Sequence, residues 1–194
     1  MFLTKNFSYK EFRPSGTPET WMPENEIQDL MIKIIAGNLQ IVRDNLNPFI
    51  KMKITSGVRS LEDFIRLKNS GYNPSTTSYH NFGVVPIEKT DIIKYKKYGA
   101  FYPFACGATD VLPVGISVKE LFLKAMELVE AGKCRFGQII HEYTPAQNGK
   151  PKMEWVHFGN DPLYFFSKEI CNTINKVKFL YTIDGGKNYK QYFK

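Results

Sequence analysis

The apolar residues of this chain change period, from the three-and-four spacing of a helix to the alternation of a strand, so its fold has to contain both. Residues 23–46 place Ile27, Leu30, Met31, Ile34, Ile35, Leu39 and Val42 on one stripe of an amphipathic helix. After Asn47-Pro48, residues 50–55 alternate apolar and polar side chains and stop at Ser56-Gly57, as a half-buried strand does. Ser60 with Asp63 predicts a second helix, opened by a capping box and stopping near Gly71. Ser117 with Glu120 repeats the signal ahead of Leu121, Ala125, Leu128 and Val129, and Gly132 marks the stop. Strand-like residues 136–143 and 153–158 flank Asn148-Gly149, a strong hairpin signal. Residues 177–193 read as another hairpin around Asp184-Gly185-Gly186. Its aromatic-rich strands follow a helical stretch, so residues 177–194 are expected to form a C-terminal appendage to a domain spanning 1–176. Between Gly83 and Gly107 no period is sustained and Pro86, Gly99 and Pro103 punctuate the chain, which predicts a long loop or an insertion at about 84–106.

The length of 194 residues suits one compact domain, and 43% hydrophobic with 14% aromatic residues excludes wholesale disorder. No run approaches the roughly 20 apolar residues that cross a bilayer, and Met1-Phe2-Leu3-Thr4-Lys5 lacks a basic region followed by an apolar one. A soluble chain without a cleaved signal or a transmembrane segment is therefore expected. The net charge of +7 suggests an anionic partner, with nucleic acid, a membrane surface and a bacterial wall all compatible. Lys94-Tyr95-Lys96-Lys97-Tyr98 and Lys187-Asn188-Tyr189-Lys190 interleave bases with aromatics, but no arginine-rich or recognised nucleic-acid motif accompanies them, so nucleic acid is not the expected partner. Cys106, Cys134 and Cys171 are odd in number and lack C-x-x-C spacing, which predicts reduced, structural thiols.

All three histidines fall in short loop-bounded or strand-like segments. His80 lies in Ser78-Tyr79-His80-Asn81-Phe82-Gly83, and His141 and His157 lie on the two strands of the first hairpin. Between them Gly107-Ala108-Thr109-Asp110 places a carboxylate after small residues and before the apolar Val111-Leu112. Two imidazoles and one carboxylate suffice to hold a catalytic zinc ion, whose fourth position stays open to water, and a nearby carboxylate would then take that water's proton. The alternative on the same residues is a set of hydrogen-bonded histidines and an ordinary strand-end Asp.

Ser78-x-His80-x-x-Gly83, then Ala108-x-Asp110, then Trp155-Val156-His157 resembles the zinc peptidases that include D-alanyl-D-alanine carboxypeptidases, phage cell-wall endopeptidases and the Hedgehog-type zinc fold. The resemblance also takes in Phe7-Ser8-x-x-Glu11-Phe12 and residues 54–60, and so runs from about Phe7 to Gly159. It implies a small α+β fold whose antiparallel sheet, flanked by helices, carries zinc on His80, Asp110 and His157. The implied activity is hydrolysis of peptide bonds in peptidoglycan stem peptides. One departure stands out: the family's Asp follows the first His within one short run, whereas here some two dozen residues lie between Gly83 and Ala108, and Ile87 takes the contiguous position. Either an insertion loops out and returns at Gly107, which the apolar pair after Asp110 favours, or the correspondence with Asp110 fails.

Two residues compete for general base. Glu154, three before the last His, matches one branch of the family, and Glu142, on the preceding strand, matches the Hedgehog-like branch. Glu154 on a regular strand points away from His157 unless a bulge near Met153 turns it. Glu142 shares the His157 face if it pairs with Trp155, and a one-residue slip would put His141 there instead. Arg59, after a strand and a Ser-Gly turn, is expected to bind substrate as a bidentate donor, the alternative being a surface ion pair. Ser78 either hydrogen-bonds substrate or caps the turn before His80, Trp155 packs behind the metal, and Phe101, Tyr102 and Phe104 line a cleft or form a satellite core. The resulting expectation is a zinc-dependent D,D-carboxypeptidase or peptidoglycan endopeptidase, phage-encoded and acting on the cell wall from the host cytoplasm or the virion. The rival is a non-catalytic virion or wall-binding protein that keeps the fold.

Overall fold

A computed structural model describes residues 1–71, 74–75, 78–82, 107–146, 151–160, 178–184 and 188–192. The residues of the expected insertion, with Gly83, Phe101, Tyr102, Phe104 and Cys106, lie outside the described residues, as do Cys171 and the Asn148-Gly149 turn. Among the described residues four helices accompany a six-stranded mixed sheet, an α+β arrangement. In chain order these are α1 (Tyr9–Phe12), α2 (Glu26–Asp44), β1 (Lys51–Ser56), α3 (Leu61–Asn69), a single 3₁₀ turn (Tyr79–Asn81), β2 (Gly107–Val114), α4 (Val118–Glu130), β3 (Gln138–Thr144), β4 (Met153–Asn160), β5 (Lys178–Thr182) and β6 (Lys190–Gln191). No described helix is long and apolar enough to cross a membrane.

Helix α2 begins where the Asn25 side chain accepts from the Gln28 N–H. Met31, Ile35, Leu39 and Val42 of its expected stripe are buried, but Leu30 is 52% exposed, and the buried face takes in Ile32, Ala36 and Gln28 instead. Positions 28, 32, 35, 39 and 42 follow one line along a helix, and Leu30 falls off it. Helix α4 opens with the full expected capping box: Ser117 Oγ accepts from the Glu120 N–H and the Glu120 carboxylate accepts from the Ser117 N–H. At α3 only half of the expected box forms. Ser60 Oγ accepts from the Asp63 N–H, but the Asp63 carboxylate instead accepts from the Ser15 N–H and the Arg66 guanidinium. Asp is one methylene shorter than the Glu of a full box, and these two donors are closer to hand.

The strand order is β1-β2-β4-β3-β5-β6. Neighbours run antiparallel except β3 and β5, which are parallel, so the sheet is mixed and not the purely antiparallel one expected. The C-terminal strands pair as a hairpin, and β5 also hydrogen-bonds along β3 from Gln138 to Glu142, extending the sheet instead of standing apart as an appendage. Without β5, the backbone donors and acceptors along that side of β3 would form an open edge, which pairing removes.

Strand pairing sorts the side chains into two faces. Met52 and Ile54, Val111, Ile139, and Val156 with Phe158 share one face and join α2 and α4 in the buried core around Ile35, Leu39, Leu121, Phe122 and Phe136. Asp110, Gln138, Ile140, Glu142, Trp155 and His157 share the other, which the α2–α4 core leaves free for chemistry. Cys134 is buried as a free thiol, and burial pushes its pKa up to about 11, consistent with a structural role.

Candidate metal centre

Asp110 and His157 are direct cross-strand partners on β2 and β4, so antiparallel pairing alone sets their side chains next to each other. His80 arrives from the 3₁₀ turn. Its backbone carbonyl accepts from the Arg59 N–H at 2.8 Å, which ties the turn to the end of β1. A β-bulge at Thr55, between the pairs Ile54–Val111 and Ser56–Asp110, bends β1 toward the same point. Two cross-strand bonds pin the bend: Thr55 Oγ1 donates to the Asp110 carbonyl at 3.2 Å and Thr109 Oγ1 to the Ser56 carbonyl at 2.9 Å.

The three side chains close a triangle. His80 Nε2 lies 3.2 Å from His157 Nδ1 and 3.3 Å from Asp110 Oδ1, and His157 Nδ1 lies 2.9 Å from Asp110 Oδ1. Ligands about 2.0–2.1 Å from a tetrahedral ion are separated by roughly 3.3 Å, so the triangle needs little adjustment to hold one. Both histidines are buried and Asp110 is nearly so. Burial alone would raise the Asp110 carboxyl, but the charge of His80 and hydrogen bonds to both imidazoles outweigh it and hold the group well below the usual carboxylate range. A carboxylate kept ionised beside two imidazole nitrogens is a donor set that can hold a metal ion.

Outer partners orient the imidazoles. His80 Nδ1 donates to the Gly57 carbonyl at 2.8 Å, leaving the Nε2 lone pair aimed at the triangle. A side chain at Gly57 would put a Cβ 2.5 Å from the Phe12 carbonyl oxygen, so only glycine lets this carbonyl sit where His80 needs it. His157 turns Nδ1 inward, and its Nε2 lies 3.0 Å from the Gln138 amide. An amide offers both a donor and an acceptor, so Gln138 serves either tautomer of that ring. Gly107 has a comparable role on β2, because a Cβ there would lie 2.6 Å from the Phe82 ring that follows His80.

Of the residues singled out from the sequence, His80, Asp110 and His157 are brought together, across the long interval before Ala108. Glu142 pairs with Trp155 and so lies on the face of His157. Burial pushes its carboxyl up to about 7, with the His157 charge opposing and the Asp110 charge adding to the rise. Glu154 pairs with Tyr143 on the opposite face without a bulge, and its carboxylate lies 2.6 Å from His141 Nε2. Neither Glu154 nor His141 therefore joins the triangle. Trp155 is half-buried on the His157 face, with a buried Nε1 that has no hydrogen-bond partner among the described residues. Ser78 precedes the 3₁₀ turn without a side-chain cap bond, so the capping alternative is not what holds it. Arg59 lines a cavity of about 760 Å³ together with Arg13, Lys53, Ser56 and Gly57, the last two being the residues that adjoin Asp110 and His80. Sequence reasoning missed Gln138 and Gly57. Alternation places Gln138 on the Glu142 face, but its partner becomes legible only once the β3–β4 register is known.

No family model matches the chain, and neither a curated protein nor a solved structure does.

Proposed function

We propose that this protein is a zinc-dependent peptidase that hydrolyses peptide bonds in bacterial peptidoglycan stem peptides, of the D-alanyl-D-alanine peptidase and Hedgehog-like fold. The observation that carries the reading is the buried His80–Asp110–His157 triangle with the Glu142 carboxyl on the same face of the sheet. When bound, zinc supplies Lewis acidity that makes water nucleophilic near neutral pH and polarises a carbonyl. Glu142, with a carboxyl pushed up to about 7, takes the proton released as the water oxygen bonds to the carbonyl carbon, and returns it to the amine as the C–N bond breaks. Arg59 offers its guanidinium to the substrate carboxylate from the adjoining cavity. Asp110 holds its charge throughout and keeps both imidazoles turned inward.

Bound metal measured by elemental mass spectrometry tests the centre. About one zinc per chain is expected in the wild type, with loss in His80→Ala, Asp110→Ala and His157→Ala. Zinc retained by Asp110→Ala would overturn the ligand set. Mass analysis of purified wall fragments after digestion then identifies the bond cut. Absence of cleavage by fully metallated protein would overturn the enzyme reading in favour of a non-catalytic wall-binding protein.

A further inference from the structure

The core-side face of the sheet carries a second constellation. His141 and Glu154 have the opposite strand parity from Glu142 and His157, so they sit across the sheet from the metal centre. They line a pocket of about 360 Å³ with Tyr143 of β3, Tyr181 of β5, Tyr192 just past β6, and Lys119 of α4. The lining rings are held in a chain of contacts through Phe122, which is itself fully buried and outside the lining: His141 to Phe122 with centroids 5.8 Å apart, Phe122 to Tyr192 at 5.1 Å, and Tyr192 to Tyr181 at 6.4 Å and nearly perpendicular.

The chemistry of this lining is specific. His141 engages Oε1 of Glu154, which leaves Oε2 as an acceptor. The hydroxyls of Tyr143, Tyr181 and Tyr192 have no hydrogen-bond partner among the described residues. A ligand that answers three phenols and one carboxylate oxygen must carry several hydroxyl or amide groups, and one that packs on aromatic rings must also present a flat apolar face. A strong anion would find the Lys119 ammonium but also meet the Glu154 carboxylate, a neutral ligand meets no like charge, and a purely apolar group would leave the polar atoms desolvated and unpaired. A pyranose ring satisfies both demands, with C–H bonds on its faces and hydroxyls around its rim, and the pocket lies within the size range of small-ligand sites. We infer that this pocket is a saccharide-binding site, built when the C-terminal hairpin docks on β3, and that it takes a neutral N-acetylated hexosamine. The choice of sugar rests on the peptidoglycan reading; the pocket itself does not.

Ligand-observed saturation-transfer NMR and calorimetry with the β-1,4-linked trimer of N-acetylglucosamine test the inference. Wild type and His157→Ala are expected to bind with a Kd of about 1 mM or tighter, whereas Tyr181→Ala and the near-isosteric Glu154→Gln, each checked for a native circular dichroism spectrum, lose tenfold or more. No binding by folded wild type would overturn the site, as would binding unchanged in both pocket variants. Binding lost only in His157→Ala would move the sugar to the metal face and overturn it equally. Sugar binding without bound zinc would fail the peptidase reading alone, and hydrolysis without sugar binding would fail this inference alone.

Discussion

Replacing Glu142 by Gln separates its chemical role from its cost to the fold. The folded protein raises this carboxyl from its ordinary 4.5 to about 7, chiefly through burial. Between those values the folded chain binds a proton that the unfolded chain has released, so stability falls as pH rises across that window and levels off above it. At about 1.4 kcal/mol per pH unit, the full rise corresponds to roughly 3 kcal/mol in the metal-free protein. Glu142→Gln keeps the shape and removes the ionisation. Urea unfolding of the metal-free proteins from pH 4 to pH 8 should therefore give a wild-type stability that declines relative to the variant by an amount of that order, with most of the change below about pH 7. In the zinc-loaded protein the same variant should lose peptide hydrolysis while keeping its metal, and Glu154→Gln should retain hydrolysis. Parallel wild-type and Glu142→Gln stability profiles would refute the argument that the protein buries an ionisable carboxyl at this position. Activity lost in Glu154→Gln but kept in Glu142→Gln would refute the assignment of the base.

Three further outcomes follow from the surroundings of the site. Gly57→Ala forces a Cβ to 2.5 Å from the Phe12 backbone oxygen, and should cost about 1–3 kcal/mol in urea unfolding and weaken zinc binding by displacing the carbonyl that orients His80. Gln138→Leu preserves bulk against Gly159 but removes the partner of His157 Nε2, so zinc affinity measured by competition with a chelator should drop about 10–100-fold. Ser117→Ala removes the cap of α4 and should lower stability by about 1 kcal/mol without changing zinc content, since α4 packs on the core side of the sheet.

Local signals in the sequence were sufficient for much of this molecule. The periods of residues 23–46 and 50–55, the Ser117-Glu120 cap and the strands around residues 148–149 all depend on neighbours a few positions apart, and each marks an element that forms. That His80, Asp110 and His157 are candidates to meet was legible too, because three histidines in 194 residues leave few combinations. What pairing decides was not legible. Whether Glu142 or His141 shares the His157 face turns on a β3–β4 register that differs by one residue between the two outcomes, and strand periodicity is the same for both. The docking of β5 along β3 joins residues about 40 positions apart, beyond the reach of any local pattern, and it alone brings Tyr181 to His141 and Glu154. The side-chain triangle is of the same kind: His80, Asp110 and His157 come together only because a bulge at Thr55, a glycine at 57 and an antiparallel pair converge on one point. Local preference is a property of short segments, and a site is a property of the contacts that fold them together.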